Sequence, residues 1–409
     1  MKIRQYNKET DYEYIKRIWK EIGWYSCTDE KEGFNNYLEA KDVLVAEIND
    51  EVEAMVATGP GEIRYQDQDL ELNVIRGVTI SRVARKQGLA KKMTAKAIAD
   101  SALKGAKISA LDMFEQGFYN KLGYGNGSYE NIFGFNPAHL KVKTHHRPPK
   151  RISKEDWEQI YNARMKMMRK HGGCIMTHPL ETKSPVFWAD KYFTLGYHND
   201  QGELTHFMRC RVDNASHGPY AVDWLVYQNK EQFLELLSLL KSLGDQVNLI
   251  YMREPSWIQL QDLLDKPFVN RRVTKDSNYE WVQNMSNYWQ MRILNLEGCL
   301  AKTHLLEEVK FNLTLADPIE DILPEDAEWK GIGGQYIVTL GPTSKAEPGQ
   351  GDNLPILKAT IGAFTRMWLG VRPATGISVT DQLDGPDSLL EDLDRVFRIL
   401  PQPKNDWIF

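Results

Sequence analysis

The sequence predicts an α/β protein of two or three domains. Its 409 residues are more than one ordinary core organises. Strand-like apolar runs alternate with helical stretches in the first third, and a similar alternation begins again after residue 150. Hydrophobic residues make up 42% of the chain and aromatics 11%, with 11 tryptophans, which is ample for well-filled cores.

In the first third, Asp11-Tyr12-Glu13-Tyr14-Ile15 opens a helical stretch. The run Val74 to Ile80 reads as a strand, and Arg85-Lys86-Gln87-Gly88-Leu89-Ala90 after it opens a helix. Four N–H groups at a helix start lack intrahelical partners, and with the helix dipole they attract anions such as phosphate. Gly88 lets that backbone come close to a ligand, while Ala90, Met93 and Ala97 keep one helix face small enough to lie on a sheet. Arg82, Arg85, Lys86, Lys91 and Lys92 crowd the same turn. A second strand, Ile108 to Met113, leads into Gly117-Phe118-Tyr119-Asn120-Lys121-Leu122-Gly123-Tyr124. This order places a pyrophosphate-sized anion site and a tyrosine proton donor within one ligand's length.

Lys141 to Arg151, with His145, His146, Pro148 and Pro149, reads as a solvated linker. Beyond it Asp156-Trp157-Glu158-Gln159-Ile160 resembles the stretch at Asp11, followed by strands (Thr205 to Val212, Tyr220 to Gln228), a leucine-rich helix from Glu231 to Leu243 and a strand from Val247 to Met252. The pattern is that of a second copy of the first unit without its turn, because Asn229-Lys230-Glu231-Gln232 offers no glycine. From about Asn287 the composition changes: Trp289 to Leu294 and Gly334 to Leu340 read as strands, Gly341 to Pro355 as loop, and a helix follows Gly362. Leu389, Leu390, Leu393, Val396, Phe397 and Leu400 form an apolar stripe at helical spacing, with Ser388 and Glu391 as a capping box and Pro401 as the stop.

A balance of 51 basic against 56 acidic residues gives a net charge of −5, so no global field draws the chain to nucleic acid or an anionic membrane. Cys27, Cys174, Cys210 and Cys299 lie far apart, which argues against a metal site or a disulfide framework. No stretch reaches about 18 consecutive apolar residues, and the N-terminus has no apolar run behind its charges; a soluble, cytoplasmic protein is expected.

The pattern Arg-x-x-Gly-x-Ala after a strand ending Val-Thr-Ile, followed by Phe-Tyr-x-Lys-Leu-Gly-Tyr, resembles the acetyl-CoA motif of the GNAT N-acetyltransferases. The resemblance implies that the backbone of Val78 and Ile80 pairs with the pantetheine arm and that Arg85, Lys86, Gln87, Gly88, Leu89 and Ala90 cradle the pyrophosphate. Over its full length the chain resembles the enhanced intracellular survival (Eis) family. That likeness implies tandem GNAT-like domains, an active one over residues 1–145 and a degenerate one over 146–286, then a sterol-carrier-protein-like α/β domain over 287–409. It also implies a homohexamer and an amine acceptor, either a small molecule or a peptide.

Acetyl transfer to an amine needs one proton removed from the ammonium and one supplied to the leaving thiol, whose free pKa is near ~8.5. The resemblance assigns the acid to Tyr119 and the base to the C-terminal carboxylate of Phe409; Tyr124 is the rival acid. Three large apolar residues, Trp407-Ile408-Phe409, favour docking of this end in a cleft, where desolvation would raise a carboxylate from ~3.5 towards a useful basicity. Ile408 stands where aminoglycoside-acetylating members carry an acid, which puts that substrate in doubt, although Asp29, Glu30 and Glu32 are candidates to line an acceptor site. The competing reading is a lipid-binding or scaffold protein that works through its third domain.

Overall fold

The computed structural model describes residues 2–25, 31–188, 191–267, 270–274, 277–281 and 283–407. The first sheet is built from β1 (Lys2–Gln5), β2 (Asp42–Ile48), β3 (Glu51–Tyr65), β4 (Gln68–Ile80) and β5 (Ile108–Asp112). The two-residue period of the strands decides its layers. Val43, Val45, Met55 and Ala57 pack with Ile15 and Trp19 of α1 (Lys8–Glu21) and with α2 (Lys31–Glu39). Their neighbours Leu44, Ala46, Ala54 and Val56 pack with Met93 and Ala97 of α3 (Leu89–Leu103) on the other face. With both faces covered, Val52 to Ala57 read as a continuous apolar run broken by one acid, Glu53.

Strands in this sheet pair antiparallel except β4 with β5, which are parallel. Beyond β5 come a strand of residues Trp289–Ile293 and then Gly125–Asn126, both antiparallel. The second sheet runs in the order 150–151, 192–198, 204–212, 220–226, 250–253, 130–135 and 283–286. Its pairings are antiparallel except 220–226 with 250–253. Strand order and sense therefore repeat those of the first sheet, position for position. The helix Trp157–Met165 follows the first edge strand as α1 follows β1, in line with the internal resemblance between residues 11–15 and 156–160.

Two strands do not follow the expected boundaries at 145 and 286. Glu130–Phe135 crosses into the second sheet, and Trp289–Ile293 crosses into the first, each beside the parallel pair of the unit it joins. The exchange is reciprocal and binds the two units through backbone hydrogen bonds. No local pattern marks it, because a strand's sequence does not name its partner.

The third sheet has the order 345–348, 334–340, 309–316, 356–360, 383–384. Helices Ile361–Trp368 and Asp387–Phe397 bury Phe364, Trp368, Leu389, Leu390, Leu393, Val396 and Phe397 in one core with Tyr65 of β3. Tyr65 stacks on Trp368 with ring centroids 4.2 Å apart, so the third sheet's layer is continuous with the first. Two expectations are corrected here. The last helix has Pro386 as its N-cap and no side-chain cap, so Ser388 and Glu391 form no capping box. The stretch after Gly341 contains a strand, Lys345–Pro348, whose four residues pair antiparallel with 336–339. Among the described residues no helix is long and apolar enough to cross a membrane.

Candidate active site

β4 and β5 pair over only three positions, Leu72–Val74 with Ile108–Ala110, after which β4 continues to Ile80 paired with β3 alone. A bulge sets Gly77 and Val78 against Val56, and Gly77 takes φ +58°. A side chain there would sit 2.6 Å from the Tyr37 hydroxyl, so this close approach accepts only glycine. The result is an edge, Ile75 to Ile80, open towards β5 in the middle of the sheet. Val78 and Ile80 lie on it, half-buried.

Eight residues, 81–88, separate β4 from α3. Arg85, Lys86, Gln87 and Gly88 are exposed, Leu89 is buried as the first helical residue and Ala90 is half-buried. Lys86 (φ +61°) and Gly88 (φ +76°) both hold left-handed backbone, and a Cβ on Gly88 would meet nothing within 4 Å. Gly88 is the N-cap and supplies no side-chain acceptor, so the first N–H groups of α3 stay available to an external anion. The helix starts at Leu89, later than the run from Arg85 suggested, because Arg85 to Gly88 form the turn itself.

At the matching place in the second unit the connection is only 227–229, and Asn229 caps its own helix by accepting from the Gln232 N–H. The parallel pair there also splays after three positions, Tyr220–Val222 with Ile250–Met252. That cleft is filled by the chain's own tail. Lys404 Nζ is 2.8 Å from Glu254, Ser256 Oγ donates to Asp406 at 2.9 Å, and Ser128 Oγ donates to the Pro403 carbonyl. About 90 Å³ of open space remains.

Tyr119 sits on α4 (Gln116–Asn120), whose N-terminus Glu115 caps by accepting from the Gly117 and Phe118 N–H groups. It is buried in one cluster with Leu89 and Leu122, against Val78 and Ile80. Burial pushes its hydroxyl up to about 12, so it stays protonated at neutral pH, and no hydrogen-bond partner for it stands among the described residues. Tyr124, with ring centroids 6.2 Å away, shares a hydrogen bond with Ser109 Oγ at 2.7 Å deep in the core. Of the two, only Tyr119 has a hydroxyl to spare. Arg292, on the strand that crosses into the first sheet, donates to the Leu122 carbonyl and pairs with Asp317, fixing the turn after Tyr119.

On the α1–α2 side of β4 a cavity of about 360 Å³ opens between the two units. Trp19, Tyr37 and Arg76 line it from the first unit. Glu181 and Trp188 come from the helix Leu180–Trp188, while Arg164 and Trp224 belong to the rest of the second unit. Glu181 is buried between Lys41 (2.8 Å) and Arg76 (2.7 Å), whose charges hold its carboxyl below the usual range against the opposing effect of burial. Burial in turn lowers Lys41 to about 7. Trp407 also lines the cavity, 3.4 Å from the Arg164 guanidinium. Phe409, the expected base, and Ile408 lie outside the described residues, as do Asp29 and Glu30. Glu32 is exposed, pairs with Lys183 at 3.4 Å and does not line the cavity. The cavity residues escaped sequence reasoning because no motif joins positions 19, 76, 164, 181 and 224.

A sheet split at a parallel pair, beside an uncapped helix N-terminus, sets an open strand edge next to a free anion site. Residues 2–127 match the family model of the acetyltransferase (GNAT) domain, so the chain carries a GNAT acetyltransferase domain. Among solved structures it is similar to a probable N-acyltransferase from Enterococcus faecalis, at 19% identity and TM-score 0.80 over 100% of this chain and 99% of that one. A GCN5-related N-acetyltransferase from Anabaena variabilis gives 15% and 0.77, and Eis1 from Mycobacterium abscessus 14% and 0.76, each over 100% of both chains. At these identities the likeness is one of fold, and it extends over all three sheets. No curated protein matches the sequence.

Proposed function

We propose that the protein is an acetyl-CoA-dependent N-acetyltransferase acting on a primary amine, with Tyr119 as general acid and the Phe409 carboxylate as general base. The observation that carries this reading is the open edge of β4 meeting the uncapped start of α3, with the unpartnered Tyr119 hydroxyl packed against the same edge. Val78 and Ile80 would receive the pantetheine amides, and Arg85 to Ala90 the pyrophosphate. The amine nitrogen attacks the thioester carbonyl carbon, the C–S bond breaks, and Tyr119 donates its proton to the sulfur as negative charge develops there. The base takes the proton that the amine gives up. Phe409 is two residues past Trp407, a reach of about 7 Å of extended chain from a cavity-lining residue.

The same reading includes the division at residues 145 and 286 with the two exchanged strands counted to the sheets they join. It also includes a sterol-carrier-like third domain, a homohexamer and a cytoplasmic location. In the second unit the short connection, the self-capped helix and the seated tail support loss of cofactor binding, so calorimetry is expected to give one acetyl-CoA per chain. A stoichiometry of two would refute that assignment.

Heating the protein with acetyl-CoA tests the reading as a whole. At 100 times its dissociation constant a ligand stabilises by about 2.7 kcal/mol, and the absence of any shift would leave no cofactor site. Adding one glycine after Phe409 displaces a terminal carboxylate by up to about 3.5 Å, beyond the reach a base needs. Turnover should collapse while acetyl-CoA affinity holds; an extended variant with full activity would remove the carboxylate from the mechanism.

A further inference from the structure

The cavity between the units holds a buried cation without a counter-ion among the described residues. Arg164 is 4% exposed, its guanidinium lies between the rings of Trp224 (3.9 Å) and Trp407 (3.4 Å), and its one hydrogen bond runs from Nη1 to Thr182 Oγ1 at 3.2 Å. No carboxylate of the described residues pairs with it, and Nε and Nη2 have no acceptor among them. The indoles cover both faces of the guanidinium, so only its donor edge is available, the arrangement in which arginine takes a planar oxyanion.

The charges around it do not compensate. Glu181 is already shared by Lys41 and Arg76. Asp223 accepts from the Tyr192 hydroxyl at 2.7 Å and offsets Arg209, whose guanidinium donates to the Pro185 carbonyl and covers the Tyr192 ring. Among the described residues, even with Lys41 neutral, three guanidiniums face two carboxylates, so the walls of the cavity carry no surplus of negative charge for a polycation.

We propose that the acceptor of the acetyl group is an amine whose own molecule carries a carboxylate, an amino acid or short peptide with a flat apolar body, and that Arg164 binds that carboxylate. The inference rests on the acetyltransferase reading and deepens it. A single free guanidinium edge matches a monoanionic planar group better than a phosphate dianion. Trp19 and Trp188, with ring centroids 5.8 Å apart, offer apolar faces to the body of such a molecule.

Acceptor pairs that differ only at the carboxylate test it. With thiol release as readout, phenylalanine is expected to exceed phenylalaninamide at least tenfold in kcat/KM, with spermidine and an aminoglycoside below both. Arg164→Gln should bring the acid-to-amide ratio to about one. Equal or reversed preference in the native protein would overturn the proposal, as would a ratio unchanged in a folded Arg164→Gln variant. A binding arm needs no variant and no turnover: N-acetylphenylalanine should bind the native protein at least tenfold tighter than its amide by tryptophan fluorescence. If Arg164 instead served the chain's own terminal carboxylate, the two probes would bind alike, which also overturns it. Calorimetry with acetyl-CoA alone on the same preparation separates the two levels. A failed cofactor titration sinks the transferase reading, whereas a normal one with no carboxylate preference sinks only the acceptor class.

Discussion

Tyr119→Phe is expected to lower turnover by roughly 10² to 10⁴ while leaving acetyl-CoA affinity unchanged. The substitution removes one oxygen from a residue whose hydroxyl has no partner among the described residues, so neither the α4 cap nor the surrounding cluster is disturbed. Its burial keeps the proton on the oxygen throughout the neutral range, and the acid form is the one the departing sulfur requires. Tyr124→Phe is the control with the opposite signature. Losing its bond to Ser109 leaves a buried hydroxyl unsatisfied and costs about 1–3 kcal/mol of stability, with turnover near normal. Steady-state thiol release and denaturant unfolding on both variants read the two effects separately. A Tyr119→Phe enzyme with wild-type turnover would take that residue out of the chemistry.

Gly88→Glu should weaken acetyl-CoA binding by at least about 10²-fold, equivalent to about 2.7 kcal/mol. The backbone there is left-handed, which a side chain tolerates at a cost of about 1–2 kcal/mol, and the space around it is open, so the fold survives. The damage is local and electrostatic. A carboxylate at the N-cap can accept from the free N–H groups of α3 and thereby occupies the site an anionic ligand needs, with a like charge added. Gly88→Asn, which suits left-handed backbone and brings no charge, should fall between the two. Unchanged calorimetric affinity in Gly88→Glu would place the pyrophosphate elsewhere.

The two sheets share one architecture and differ at the connection after their fourth strand. Eight residues ending in Gly88 leave a helix start open in the first unit; three residues ending in Asn229 close it in the second. The splayed cleft of the second unit is then free to seat Pro403 to Asp406, and that seat delivers Trp407 to the cavity. The second unit thus works as a dock for the tail and as the second wall of the cavity between the units.

Features decided within about ten residues of chain were legible in the sequence. The turn at Gly88 rests on one glycine and a helix start, and Tyr119 on a short segment after a strand. The apolar stripe of the last helix was equally plain, though its cap was not, because Pro386 rather than Ser388 ends the preceding chain. The reciprocal crossing of Glu130–Phe135 and Trp289–Ile293 could not be read, since backbone hydrogen bonds in a sheet carry no sequence address. Nor could the pairing of Glu181 with Lys41 and Arg76, or the exposure of Arg164 to the cavity without a counter-ion. Those charges lie far apart along the chain, and only packing one unit against the other removes the water that would otherwise screen them. The sequence by itself determined the open helix start proposed to hold the cofactor, because that feature is local backbone; the tertiary structure decided the cavity proposed to receive the acceptor, because that surface exists only where the units join.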